Sequence, residues 1–285
     1  MLKRYFTCAQ SSQHTYSDTA AGALPVFLSP STPELSSLLS TFNSKILLPS
    51  HLTKEQKDLV YREKNKAKLE AEPVEITLGD VTLPLEPINQ SRDIPKRFLL
   101  FRDIIRKSES KEDWENVVRM LEGFENAGMK VNADQQTLVV RQLSLSGNQH
   151  LILKALQRVK ATGLRMSEYR VLVQVLRAVH DMAALSDWEK DETTKALRFA
   201  RQVAELLEDE EHCGGQPRGE MVSEKDHTGK PAVVALPTEL VAVLADRHGG
   251  DVEEVKTLAG RLMAALKQDD YSVRESQPFL VLVHH

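Results

Sequence analysis

Cysteine is nearly absent from this chain: Cys8 and Cys213 are the two that its 285 residues contain. Thiols so few and so far apart build no disulfide framework, and the chain reads as one for a reducing, intracellular compartment. No apolar run reaches the roughly 18 residues that a membrane-crossing helix requires, which excludes a transmembrane span. A strong charge of either sign is missing too. Thirty-seven Lys and Arg against 41 Asp and Glu leave a formal net charge of −4. No global field therefore draws the chain to nucleic acid or to an anionic membrane, and any such contact must come from a local patch.

Catalytic constellations are also missing. Gly214-Gly215 and Gly249-Gly250 lack the Lys-Ser/Thr or strand context of a phosphate cradle, and no paired-histidine helix motif of a zinc hydrolase occurs. His212 and Cys213 are adjacent, too close for the usual zinc spacing. In their acidic, Gly-rich surroundings both are expected on the surface. His150 and His180 fall on helices as structural residues, and Trp114 and Trp188 are expected to pack at helix starts. The terminal His284-His285 pair offers adventitious metal binding and nothing more. The expectation is a protein with no enzymatic activity, no cofactor, no metal and no small-molecule substrate.

What is present divides the chain into five stretches. The opening "MLKRYFTCAQSSQHTYS" carries Lys3, Arg4, many hydroxyls and no acid before Asp18. That is the acid-poor composition of a mitochondrial presequence. Residues 1–50, rich in Ser, Thr and Pro, read as a targeting sequence and extended arm that orders against a partner, with at most a short helix over Leu35–Phe42. Residues 51–94 read as a charged helix and a small β-hairpin. Thr53 with Gln56 caps the helix, Pro73 stops it, and Gly79-Asp80 turns the hairpin. Residues 95–209 place apolar side chains at i, i+3, i+4, i+7 in helices over 98–107, 113–128, 134–145, 149–163, 167–182 and 192–209. Residues 210–236 read as a solvated linker. Residues 237–285 read as a helical hairpin (237–247 and 251–268) and an apolar tail, "PFLVLVHH". With 41% hydrophobic residues, the helices have ample apolar surface to bury on one another.

A repeat runs through the helical part. Shifting the sequence by 35 residues lays Gly128 on Gly163, Val117 on Ile152, Leu121 on Leu156, Phe124 on Val159, Met129 on Leu164 and Val131 on Met166. A fixed period near 35 residues indicates stacked helix–turn–helix units, an all-α solenoid. The turns Gly128-Met129-Lys130-Val131-Asn132 and Gly163-Leu164-Arg165-Met166-Ser167 resemble those of pentatricopeptide repeats, with Val131 and Met166 in place of the family's proline. The resemblance covers about residues 95–209, with a degenerate extension to 237–268. In that family a polar residue early in each first helix, together with the last residue of the unit, selects a base. Thr137 with Ser167 fits this pattern. Leu172 in the next unit has no hydrogen bond to offer, and "AALSDWEKD" stretches the third. Sequence-specific reading of a long RNA is therefore not expected. The chain is similar instead to degenerate pentatricopeptide-like mitochondrial proteins, several of them subunits of fungal-type mitochondrial ribosomes.

That resemblance implies a place in the mitochondrial matrix, with ribosomal or messenger RNA and mitochondrial ribosomal proteins as partners. It leaves two other readings open: a transient RNA-maturation, translation or assembly factor, and a protein scaffold without RNA. Charge supplies the candidate site. Residues 131–180 hold seven Lys and Arg against Asp134 and Glu168, while residues 181–230 hold seven against thirteen acids. The basic set is Arg141, Lys154, Arg158, Lys160, Arg165, Arg170 and Arg177. On neighbouring helices these side chains can combine into a strip that faces phosphates.

Overall fold

The computed structural model describes residues 23–214 and 226–268. The presequence reading and the apolar tail lie outside these residues. Within them the chain is mostly helical, with one two-stranded sheet.

The first described segment departs from expectation. Residues 23–50 do not wait for a partner; they pack on the body of the protein. Thr32 caps a helix, α1 (Pro33–Thr41), by accepting the N–H of Leu35 at 3.2 Å, and Pro33 occupies the first turn, where its missing N–H costs nothing. A π-helical stretch (Phe42–Leu47) and a short α2 (Leu48–His51) continue it. Leu35, Leu39, Phe42, Ile46 and Leu47 are buried. Their spacing is that of a helical stripe; α1 answers to the short helix expected over Leu35–Phe42, while the Ser- and Pro-rich composition concealed its continuation.

Next, α3 (Lys54–Tyr61) carries the expected capping box between Thr53 and Gln56, and α4 (Lys66–Ala71) ends before the hairpin. Strands β1 (Glu75–Leu78) and β2 (Val81–Pro84) pair antiparallel with Leu78 opposite Val81, across the left-handed Gly79. The hairpin leans on its surroundings through buried Leu78 and Leu85 and a hydrogen bond from the N–H of Ile88 to the Val60 carbonyl. That support compensates for the marginal stability of a lone hairpin.

The remaining helices come as successive hairpins. These are α5 (Arg97–Lys107) with α6 (Lys111–Asn126), then α7 (Ala133–Leu145) with α8 (Gln149–Gln157) and the short α9 (Val159–Thr162). They are followed by α10 (Tyr169–Ala184) with α11 (Lys190–Leu206), and α12 (Pro231–His248) with α13 (Val252–Gln268). The expected single helix over 149–163 is broken at Arg158, whose ψ of 41° leaves the helical region. The last hairpin starts earlier than expected, because α12 begins at Pro231 and carries Pro237 inside it. Each hairpin packs on the next: α6 on α8 and α9, α7 on α10, α8 on α11, and α11 on α12. Gly128 and Gly163, the two glycines of the echo, share the left-handed conformation at φ 65° and 67°. Both end a helix where a side chain would be strained.

A chain of rings joins the first segment to the helical hairpins. Phe27 lies 6.2 Å from Phe42, Phe42 meets Phe124 edge-on at 4.9 Å, and Phe124 lies 5.8 Å from Phe101. Aromatic pairs at such distances stabilise beyond the area they bury.

Candidate interaction surface

The helix that organises the surface is α6, and its faces do different work. Val117, Leu121 and Phe124 point into the core. A second, polar face binds residues 23–31, which run along the helix in the opposite sense. Asp113 accepts from both the N–H and the hydroxyl of Ser31, at 2.9 and 2.5 Å. Asn116 donates to the Leu28 carbonyl at 3.0 Å and accepts its N–H at 2.7 Å. Arg119 reaches the Val26 carbonyl at 2.5 Å, and Asn126 the Ala23 carbonyl at 3.2 Å. Four side chains thus take up backbone groups that a non-helical strap would otherwise leave unpaired. Gly123 lets the strap close, since a Cβ there would lie 2.6 Å from Leu47 Cδ1 and 2.9 Å from Pro25 Cγ.

The third face is acidic, and it meets the predicted basic strip. Glu115 pairs with Lys154 at 2.7 Å, Glu122 with Arg158 at 2.7 Å and Glu125 with Arg165 at 3.3 Å. The carboxylates sit at i, i+7 and i+10 on α6, so one helix face brackets the next hairpin. The hydrogen bond from Lys154 holds the Glu115 carboxyl below its ordinary pKa. Between the two hairpins lies an open cleft of about 280 Å³, lined by Glu115, Val118, Arg119, Glu122, Lys154 and Arg158.

The other four cations of the strip stand further out. Lys160, 82% exposed, is 3.8 Å from Glu211; Arg170, 76% exposed, is 3.0 Å from Asp134. Arg177 lies 3.6 Å from Asp181 on its own helix. Arg141 is exposed one helix away from Arg177. The structure therefore splits the seven residues into an inner bracket (Lys154, Arg158, Arg165) and an outer group (Arg141, Lys160, Arg170, Arg177). The base-reading positions fare differently. The Thr137 hydroxyl donates to the Ala133 carbonyl of its own helix at 2.7 Å, and Leu172 is fully buried.

His212 and Cys213 are not surface residues. His212 is fully buried, accepting the Met166 N–H on Nδ1 at 3.2 Å and donating from Nε2 to the Leu156 carbonyl at 3.0 Å. Burial lowers its pKa, against the opposing effect of the bond to Leu156. Two further histidines bridge hairpins in the same way: His227 Nε2 to the Ser167 carbonyl at 3.1 Å, and His248 Nε2 to that of Trp188 at 2.9 Å. The stretch expected to be solvated linker is thus packed at its described ends. No local sequence signal shows this, because each partner carbonyl is about 60 residues away. Among the described residues, no group of three or more His, Cys, Asp or Glu is placed to hold a metal ion, and no helix is long and apolar enough to cross a membrane.

The strap, the brackets and the histidine bridges hold segments far apart in the sequence to one another. Comparison with known families adds a family. A family model described as mitochondrial ribosomal protein mS27 matches residues 11–282. The chain belongs to this family. A curated relative, the small ribosomal subunit protein mS27 of Neurospora crassa, is 28% identical over 220 residues. The match covers 76% of this chain and 56% of the relative, so the chain spans little more than half of that protein's length.

Proposed function

We propose that this chain is a structural, non-catalytic subunit of the small subunit of the mitochondrial ribosome, located in the mitochondrial matrix. The observation that carries this reading is the family match over nearly the whole chain. In this role the hairpins form a pentatricopeptide-like repeat array that docks ribosomal RNA and neighbouring ribosomal proteins. Two features support the array: the shared left-handed turn at Gly128 and Gly163, and the packing of each hairpin on the next. The acid-poor stretch before Asp18 acts as the presequence. Its removal leaves Ala23 onward intact, because the strap from that residue is part of the body.

RNA contact falls to the outer cations. Lys160, Arg170 and Arg177 can exchange exposed carboxylate partners for phosphates at little cost, since exposed ion pairs contribute about 0–1 kcal/mol, and Arg141 is exposed beside them. Lys154, Arg158 and Arg165 mainly hold hairpin to hairpin. Contact without base reading follows from the buried Leu172 and the internally bonded Thr137.

Density-gradient sedimentation of mitochondrial extracts tests both levels. The parent chain should migrate with small-subunit particles and remain there at raised salt. Replacing the four outer cations by Gln should flatten the salt dependence of RNA binding by about 0.7 in log–log slope per lost phosphate contact. A parent chain found only in ribosome-free fractions contradicts the ribosomal role. An unchanged slope contradicts the RNA assignment alone.

A further inference from the structure

Helix α5 turns a basic and partly aromatic face to solvent, and nothing among the described residues neutralises it. Leu100, Phe101, Ile104 and Ile105 are its buried side. At about 100° per residue, the opposite side carries Phe98, Leu99, Arg102 and Arg106 within an arc of about 100°. All four are exposed, Phe98 at 46% and Leu99 at 41%. Arg102 and Arg106 stand about one turn apart, or about 6 Å along the axis.

Charge around this face is one-sided. Residues 92–107 hold six Lys and Arg against Asp93 and Asp103. Two of the cations are engaged within the fold: Lys107 pairs with Glu34 at 2.7 Å, and the Arg97 guanidinium lies 5.8 Å from the centre of the Phe124 ring. Arg92, Lys96, Arg102 and Arg106 form no ion pair among the described residues. Asp93 accepts the N–H of Asn89 at 2.8 Å, and half-buried Asp103 lies one turn from Lys107, on the flank towards α1. The helices packed on α5 supply no free acid to the face. Glu34 is the acid of α1, and on α6 Asp113 is buried while Glu115, Glu122 and Glu125 are held by Lys154, Arg158 and Arg165. Glu109 and Glu112 lie beyond the C-terminal end of α5 and pair with none of its cations. In the strip on the later hairpins, by contrast, six of the seven cations already have a carboxylate partner.

We propose that this face of α5 clasps a single-stranded stretch of RNA, with Arg102 and Arg106 on its phosphates and a base laid on Phe98. Proteins that bind unpaired strands combine a positive track with aromatic side chains on which bases stack. A cation without a partner breaks no contact of the fold when it meets a phosphate. A protein occupant fits less well, because the centres of protein interfaces are depleted of charge, whereas here two apolar side chains adjoin unpaired arginines. An RNA duplex offers phosphates but no free base, and leaves Phe98 unused. The site is separate from the outer cations, and it rests on the ribosomal reading only for naming the strand as ribosomal RNA.

The test titrates the purified full chain with short fluorescent oligouridine, oligoadenosine and RNA-duplex probes across a salt series. The Arg102→Gln, Arg106→Gln double variant should keep the parent's melting temperature, since both side chains are exposed. Its log–log salt slope on the single strands should flatten by about 1.4, two contacts at about 0.7 each. Phe98→Ala should weaken single-strand binding by about fivefold or more at an unchanged slope and leave duplex binding as it was, whereas Phe98→Tyr keeps the ring and should bind like the parent. In the complex isolated from mitochondria, a photo-reactive benzophenone side chain at position 99 should cross-link to RNA. A parent that binds no single strand, an unchanged slope in the arginine variant, a Phe98→Ala loss shared equally by the duplex, or cross-links to protein alone overturn the proposal. The other readings are scored separately: the four-Gln variant judges the outer cations, and sedimentation of the parent judges the ribosomal role. If the parent leaves the small subunit, the α5 variants still decide the clasp on the free strands.

Discussion

Asp113 shows how one side chain can decide the fate of a whole segment. It is fully buried and accepts four hydrogen bonds: two from Ser31 and one each from the N–H groups of Glu109 and Ser110. Burial pushes its carboxyl up, but these donors, the Ser31 hydroxyl foremost, outweigh burial and leave the pKa below its ordinary value. A depressed carboxylate stabilises the fold above its unfolded pKa of about 3.9, and that contribution is lost as pH falls through the folded value. Asp113→Asn should cost about 1.5–3 kcal/mol at pH 7, the range for charge-assisted bonds. The variant's urea midpoint should also respond less to acid below about pH 4 than the parent's. His212 works at a higher pH. Its pKa is lowered, so its neutral form belongs to the fold; stability is complete above the unfolded value of about 6.5 and falls as pH drops below it. His227, also lowered by burial, acts in the same direction. His212→Phe should be less stable at pH 7.5 and show a shallower loss between about pH 6.5 and 5, read by urea unfolding across that range.

At the scale of elements, α6 is where the chain's parts meet. Glycine within a helix normally gains about 1 kcal/mol on replacement by alanine. Gly123→Ala should do the opposite, because its methyl would press on Pro25 and Leu47. A ring and a buried leucine yield poorly, so a net loss of about 1–3 kcal/mol is expected, the range for overpacking. A thermal melt showing stabilisation would mean that the strap does not lie on this face. The ion-pair bracket on the neighbouring face contributes less per pair, because Glu115, Glu122 and Glu125 all retain contact with solvent. Its effect is alignment: three carboxylates on one stripe fix how the second hairpin sits on the first.

For the whole molecule, the parts legible in the sequence were those whose signal is local. Amphipathic period placed the helices from Arg97 onward, Thr53 with Gln56 gave a cap, and Gly79-Asp80 gave the hairpin turn. In the first segment the short helix over Leu35–Phe42 was legible and corresponds to α1, but its packing on the body was not, because Ser and Pro obscured the longer stripe Leu35, Leu39, Phe42, Ile46. The segment's partners on α6, more than 80 residues away, leave no trace in local sequence. The basic strip was legible as a set of residues but not as two groups, since the acids that divide it come from α6 and from Glu211. Family membership adds what neither pattern nor packing supplies, a likeness to a mitochondrial ribosomal protein over residues 11–282.

The central claim is that the chain is a resident, non-catalytic part of the small mitochondrial ribosomal subunit. Cryo-electron microscopy of particles purified through a tag on this chain measures it directly. The account predicts density for the helical hairpins on the small subunit, with Arg141, Lys160, Arg170 and Arg177 on the side that faces ribosomal RNA. Particles that lack the small subunit would contradict it; density on the subunit with those four side chains turned away from all RNA would contradict the RNA assignment alone.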